Sequence, residues 1–578
     1  MKSSEELRHA LRGMERKSYP AYKALKGSYH FAGFALFIDH VQGDPFASPS
    51  SLRVEIRHQE AGFPEEYYGS RCARRALSDF LARQLAARLE KCSFQVKGSG
   101  KSGLLAASRC GQEVLERTAC EITDTKIAAR FHAGFPASGR SILAGELETI
   151  LFDFLPRCVE ESLFYSSLDK KAVEEAIFLA EDQQALRKLL QDENLVAFVA
   201  NGAILPRKSG ISHMPMKESV PFAAPESMER SFVLPHKGRI TGMAVPRGIT
   251  LIAGGGYHGK STLLEALQNG VYDHIAGDGR EYVVTDDTAV KLRAEDGRSI
   301  RNVDISLFIN DLPSGTDTSA FSSQDASGST SQAAAAVESM EAGARLLLID
   351  EDTSATNFMV RDGFMQQVIS RDKEPITPFL ERARALYERE GVSTILVAGS
   401  SGAFFYIADH IIQMDCYRPL DITEHVKKMC EGRDAPQTDA PGFKTPNYQR
   451  QLPAYRRSRQ GGKDYYGRQR QKNSGPAHMK IKTLGKDSFS LDREQVDLRY
   501  VEQLADSEQT TALAHFLRYG LEELADGRHT VRQTIARLLQ ILEEKGWESF
   551  CGSYIPCGLA KPREQELFAC LNRFRGFR

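Results

Sequence analysis

Nowhere in this sequence do ~18 apolar residues follow one another, so no membrane-spanning helix is encoded. The opening stretch, MKSSEELRHALRGMERK, is charged and lacks the apolar centre of a signal peptide. CxxC pairs are missing too. The ten cysteines are scattered, with no Cys/His grouping at metal-ligand spacing, which argues against a disulfide framework or a structural zinc. A reducing cytosol fits this usage, so a cytoplasmic location is expected. An excess of charge of one sign is also absent: 75 Lys and Arg oppose 76 Asp and Glu. Attraction to nucleic acid would therefore have to come from local clustering. The composition that remains, 41% hydrophobic and 26% charged, is that of a globular chain, and 578 residues suggest three or four units of ~100–200 residues each.

Residues 1–215 read as a mixed α/β domain. SSEELRHALRGM carries a serine cap with a glutamate three places on, HFAGFALFIDHVQG and LRVEIRHQE read as strands, and SRCARRALSDFLARQLAARL reads as a helix. The prolines between 215 and 235 mark a linker. Residues 216–430 hold short apolar strands without polar alternation (ITLIAGG, RLLLIDED, STILVAGSS, HIIQMD) between helical stretches, the pattern of a sheet covered on both faces. Residues 431–485, rich in Pro, Gly, Gln, Arg and Lys, read as a basic flexible or extended linker. Residues 486–578 form a mainly helical region, with Val531, Ile535, Leu538, Leu539 and Leu542 on one stripe.

GGGYHGKST fits G-x-x-x-x-G-K-[ST], directly after a strand and directly before a helix. Gly254, Gly255, Gly256, Tyr257, His258 and Gly259 would wrap backbone amides around a phosphate, Lys260 would reach the terminal phosphate oxygens, and Ser261, followed by Thr262, would ligate Mg²⁺. These parts together expect ATP. A second string, GSGKSG at 98–103, lacks the first glycine of the pattern, since Gln95 stands there; it is a polyanion contact or a plain turn.

LLLIDEDTSATN ends an apolar strand in Asp350 and Glu351. An Asp that holds the Mg²⁺ shell and a following Glu that polarises the attacking water make a Walker B pair. In ABC proteins, which this chain resembles here, Ser354, Ala355, Thr356 and Asn357 would occupy the D-loop, with an amide where an acid is common. The LSGGQ signature of that class would fall on Ser327, Gly328, Ser329 and Thr330, with the alanine run after Gln332 as its helix; a plain serine cap is the alternative. Lys260 stands close to Ser327 in sequence, so the helical subdomain that couples to membrane partners looks trimmed and a membrane partner is not expected. Gly399, Ser400 and Ser401 stand where a switch histidine is usual, so turnover is expected to be slow. Asp304 is a candidate Q-loop residue and metal ligand.

Beyond these motifs, GGGYHGKSTLL, GVYDHIAGDGRE, ASGSTSQA, LLLIDEDTSATNFMVRD and EPITPF make the chain similar to the family of ATPases of the ABC class, over most of residues 1–430. Ala403 and Tyr406 replace acids of that family's pattern. The resemblance implies an ABC-type P-loop NTPase core, a mixed sheet with flanking helices, between an N-terminal α/β domain and a C-terminal region. It also implies a homodimer with ATP at composite sites. A trypanosomal relative belongs to an RNA-editing assembly, which makes RNA the leading polymer by analogy. Between Lys444 and Lys486, Lys and Arg alternate with Tyr448, Tyr455, Tyr465 and Tyr466, as a nucleic-acid arm or a solvated linker would. The expected function is an ATP hydrolase with Glu351 and Lys260 as catalytic groups, closing on ATP to change its grip on RNA. The alternatives are a nucleotide-gated scaffold with little hydrolysis and a DNA- or ribosome-associated ABC ATPase.

Overall fold

The computed structural model describes residues 1–370, 373–433, 440–455 and 478–577. Its N-terminal sheet runs in the order Lys2–Ser3, Gly27–Phe31, Phe34–His40, Ser50–Arg57, Lys126–Ala133 and Leu105–Ala106, with Cys120–Ile122 also on Lys126–Ala133. The first helix, Ser4–Arg12, starts at Ser3, whose hydroxyl accepts from the Glu6 amide while Glu6 reaches back to the Ser3 amide, the capping box legible in the sequence. Helix Arg71–Cys92 lies against Leu155–Leu163 and Lys170–Asp192. The 98–103 string is a packed turn: the amides of Ser99, Lys101, Ser102 and Gly103 donate to the carbonyls of Ala137, Pro45, Ser99 and Gly134. Those donors are spent within the fold, so the turn forms no phosphate cradle.

The central sheet has the order Val290–Leu292, Leu346–Asp350, Ser393–Val397, Ile249–Ala253, His410–Asp415 and Arg418–Asp421. Its first five strands are parallel and the last is antiparallel. Strands Leu346–Asp350, Ser393–Val397 and Ile249–Ala253 are buried along their whole length, as a sheet covered on both faces demands. A second, antiparallel sheet joins Glu229–Leu234, Gly238–Pro246, Leu195–Ala200 and Val283–Thr285. Strand Leu195–Ala200 falls within the 1–215 stretch read as the N-terminal domain, and its ladder partners are Gly238–Pro246 and Val283–Thr285. These pairings span more than 40 residues.

The C-terminal region adds a three-stranded meander, Ile481–Leu484, Ser488–Leu491 and Glu494–Asp497, to helices Ser507–Tyr519, Val531–Lys545 and Glu564–Asn572. Val531, Ile535, Leu538 and Leu542 are buried in its core, as their spacing requires. Residues 440–452 are a strap across the second unit and the C-terminal region. Arg382 donates to the Pro441 carbonyl at 2.7 Å, and the Leu452 amide donates to the His529 carbonyl at 2.9 Å. Tyr465, Tyr466 and most of the basic run expected to contact nucleic acid lie outside the described residues.

Candidate nucleotide site

The phosphate loop leaves strand Ile249–Ala253 and enters helix Lys260–Asn269. Gly259 caps that helix with φ 98°, and Gly254 takes φ 140°. A Cβ on Gly254 would stand 2.5 Å from the Met414 carbonyl oxygen, so the neighbouring strand sits too close for any side chain there. Lys260 folds back over the loop, its Nζ donating at 2.8 Å to the carbonyls of Gly254 and Gly255. Ser261 and Thr262 follow in the first helical turn. Tyr257, at φ 65°, is 99% exposed.

Asp350 and Glu351 end the strand Leu346–Asp350, which is separated from the phosphate-loop strand by Ser393–Val397 alone. Asp350 is buried and accepts from the Asp352 amide at 3.2 Å. Glu351 leans toward the intervening strand's exit loop. Its carboxylate accepts from the amides of Gly399 at 2.8 Å and Ser400 at 3.0 Å, and from the Ser400 hydroxyl at 2.5 Å. Partial burial pushes this carboxyl up, but the bonds from Ser400, Gly399 and Ser401 outweigh it and hold it below the usual carboxylate range. A Cβ on Gly399 would lie 3.9 Å from Lys260 Nζ, so the same loop adjoins the lysine of the phosphate-loop pattern. Sequence reasoning noted the missing histidine here but not that Ser400 grips Glu351.

Ser327 caps helix Gly328–Glu341, its hydroxyl accepting from the Thr330 amide. Ser329 turns inward and donates to Asn357, while Gln332 donates to Ser354 at 2.9 Å and accepts from the Ala355 amide at 2.8 Å. Helix Gly328–Glu341 and the 354–357 segment are thus bolted together, and the amide at Asn357 has a local use: its oxygen accepts the Ser329 hydroxyl. This leaves the exposed Ser327 and the first-turn backbone of the helix, rather than the Ser329 side chain, facing outward. At the far end, Arg450 donates to the Glu341 carboxylate at 2.7 Å and Arg532 to the Glu341 carbonyl at 2.7 Å, so the strap and the C-terminal region clasp the same helix.

Asp304 is not brought to this group. It is buried, one oxygen accepts from the Ser306 amide and hydroxyl, and the other accepts from the Asn447 amide at 2.9 Å. One oxygen holds the strap and the other closes the local 304–306 turn, a structural use where a metal contact is expected from sequence.

One further residue adjoins the loop without having been legible in sequence. Tyr417 lies in the turn between His410–Asp415 and Arg418–Asp421 at φ 67° and is 54% exposed. Its ring edge is 3.0 Å from where a Gly259 Cβ would be, and its amide donates to the His258 carbonyl at 3.2 Å.

Three family models match the chain in succession: the N-terminal domain of ATPases of the ABC class over 4–166, the P-loop domain ABC_ATPase over 169–450, and the MRB1590 C-terminal domain over 480–578. Uncharacterized protein MJ1628 of Methanocaldococcus jannaschii is 30% identical over 254 residues, 42% of this chain, and the match spans 55% of that protein's own length. Among solved structures, cbiO1 from Clostridium perfringens, part of the ABC transporter complex cbiONQ, aligns over 41% of this chain and 92% of its own at 13% identity and a TM-score of 0.25. A bacterial Atm1-family ABC exporter with ATP bound aligns over 49% of each chain at 15% identity and a TM-score of 0.23. Among the described residues no helix is long and apolar enough to cross a membrane. Since the three domain models follow one another along nearly all of the sequence, and the middle one contains the phosphate loop and paired carboxylates whose geometry is given above, this chain belongs to the ATPases of the ABC class related to MRB1590.

Proposed function

We propose that the protein is an ATP hydrolase that closes as a homodimer on two ATP molecules and thereby changes its grip on a nucleic acid, with RNA favoured. The observation that carries the reading is the convergence of Lys260 and Glu351 on one loop, 399–401, from two strands on either side of it. Lys260 and the loop amides bind the phosphates. The Ser261 hydroxyl and the Asp350 carboxylate are hard oxygen donors of the kind Mg²⁺ takes, and the ion when bound would neutralise charge on the transferred phosphoryl group. Glu351 accepts the proton of the attacking water. Ser327, with the Gly328 and Ser329 backbone at its helix start, meets the partner's terminal phosphate. The clasp of Arg450 and Arg532 on Glu341 would carry any shift of that helix into the C-terminal region.

The strand order also supports a place for the base in this reading. Glu351 and the 399–401 loop lie on one side of the phosphate-loop strand, and the 415–418 turn lies on the other. A nucleotide with its terminal phosphate at Glu351 therefore points its base toward Tyr417 and Tyr257. Base–aromatic stacking is worth ~1–3 kcal/mol, so Tyr417→Ala is expected to weaken ATP binding by roughly 5- to 150-fold. Tripolyphosphate, which has no base, should bind the variant as it binds the wild type. Equal loss for both ligands would remove Tyr417 from this role.

The grip of Ser400 on Glu351 favours a second reading, a nucleotide-gated scaffold that hydrolyses little, because a carboxylate held by three donors is a weaker base. Single-turnover hydrolysis by the purified chain separates the two. Ser400→Ala removes one donor that lowers the Glu351 pKa, so the acidic limb of the pH–rate profile should move to higher pH. A limb that stays in place would show that another group sets it. For the polymer, titration of the full chain with single-stranded RNA, duplex DNA and ribosomes, with and without ATP, decides among the candidates. RNA binding that responds to nucleotide and weakens with salt supports the proposal.

A further inference from the structure

We propose that His258, Asp415 and Cys416 form a site for one divalent cation of the zinc class at the edge of the phosphate loop. Their donor atoms lie within 4.8 Å of one another, and His258 Nδ1 is 3.1 Å from Asp415 Oδ1. Imidazole nitrogen, thiolate sulfur and carboxylate oxygen together select Zn²⁺ or Co²⁺ over Mg²⁺, which takes oxygen ligands and demands an octahedron.

The backbone pre-forms this arrangement. Cys416 and Tyr417 occupy left-handed conformations at φ 46° and 67°, turning the hairpin tip toward the loop. The Cys416 amide donates to His258 Nδ1 at 2.9 Å and the Tyr417 amide to the His258 carbonyl at 3.2 Å, so the ring is seated on the turn before any ion arrives. Coordination through Nδ1 gives up the first of these bonds, a small loss beside three metal–ligand bonds. The Cys416 sulfur releases its proton to solvent as the metal–sulfur bond forms.

Access is the second argument. Of the ten cysteines, Cys416 is the exposed one; the others are buried or intermediate. Three protein ligands leave a fourth position for water, the arrangement of an open site. Because His258 belongs to the phosphate loop, an ion here would tie that loop to the hairpin at the sheet edge and so link metal uptake to nucleotide affinity.

Titration of the reduced, chelator-free full chain with Co²⁺ tests this. The expected result is saturable 1:1 uptake with thiolate-to-cobalt charge transfer and the strong visible bands of four-coordinate cobalt. Cys416→Ser should abolish the charge-transfer band and weaken uptake at least ~10-fold, and Asp415→Asn should weaken uptake while keeping the band. Lys260→Ala, which removes a phosphate ligand, should take up cobalt as the wild type does, so failure of the metal site and failure of the ATP reading are distinguishable. Absence of 1:1 uptake, or a spectrum that Cys416→Ser leaves unchanged, overturns the proposal.

Discussion

Glu351→Gln is expected to keep ATP binding and to lower turnover by about 10²- to 10⁴-fold, the usual contribution of a positioned general base. The amide is nearly isosteric with the carboxylate, and its oxygen still accepts from the Gly399 and Ser400 amides that hold the native side chain at 2.8 and 3.0 Å. The loop geometry should therefore survive while the base is lost. Lys260 and the phosphate-loop amides are untouched, so equilibrium binding of a labelled ATP analogue should be unchanged. With hydrolysis blocked, ATP should accumulate in the closed dimer, and light scattering should show a doubling of mass that depends on ATP. Phosphate release at the wild-type rate would take Glu351 out of the reaction; an ATP-bound monomer would take the composite site out of the proposal.

Arg117→Ala is expected to cost about 3–5 kcal/mol of stability, the cost of breaking a buried ion pair from one side. Arg117 is 3% exposed and joins the N-terminal domain to the C-terminal region, with nitrogens 2.5 Å from Asp506 and 2.7 Å from Glu508. Asp79 adds a third carboxylate at 3.8 Å. Burial works against the guanidinium charge, but Asp506, Glu508 and Asp79 hold its pKa above the ordinary value. Without the cation these carboxylates face one another around a buried Asp79, with Asp506 and Glu508 only partly exposed to water. The adjacent backbone makes the effect local as well as global, since Thr118 donates through its amide to the Leu559 carbonyl and through its hydroxyl to the Cys557 carbonyl at 2.9 Å. Denaturant unfolding should show the loss, and hydrogen exchange should rise first around 557–560. Glu508→Gln removes one of the stranded charges and should recover part of the loss in the Arg117→Ala background. Equal stability in wild type and variant would mean that this junction does not hold the two regions together.

Some of this molecule follows from short stretches of sequence. The phosphate loop, the Walker B strand end, the serine cap of the signature helix and the stripe of helix Val531–Lys545 each depend on residues within a few turns of one another. Their conformations are set by glycine freedom, apolar periodicity and capping, which a sequence displays directly. The helix that begins at Ser327 could be placed for that reason. Sequence offers Asp304 as a metal ligand and does not show its contact with the strap, because its bond to Asn447 joins residues 143 positions apart.

By itself the sequence determined the strand–loop–helix that would hold a triphosphate and the acids one strand away, since both are local patterns with one physical solution. Only the tertiary structure decided that Ser400 holds Glu351, that Asn357 ties the 354–357 segment to helix Gly328–Glu341, that Leu195–Ala200 pairs with Gly238–Pro246, and that His258 meets Cys416 across 158 positions. Those contacts rest on strand order and packing among distant segments, and no local pattern of side chains encodes which distant partner a polar group will find.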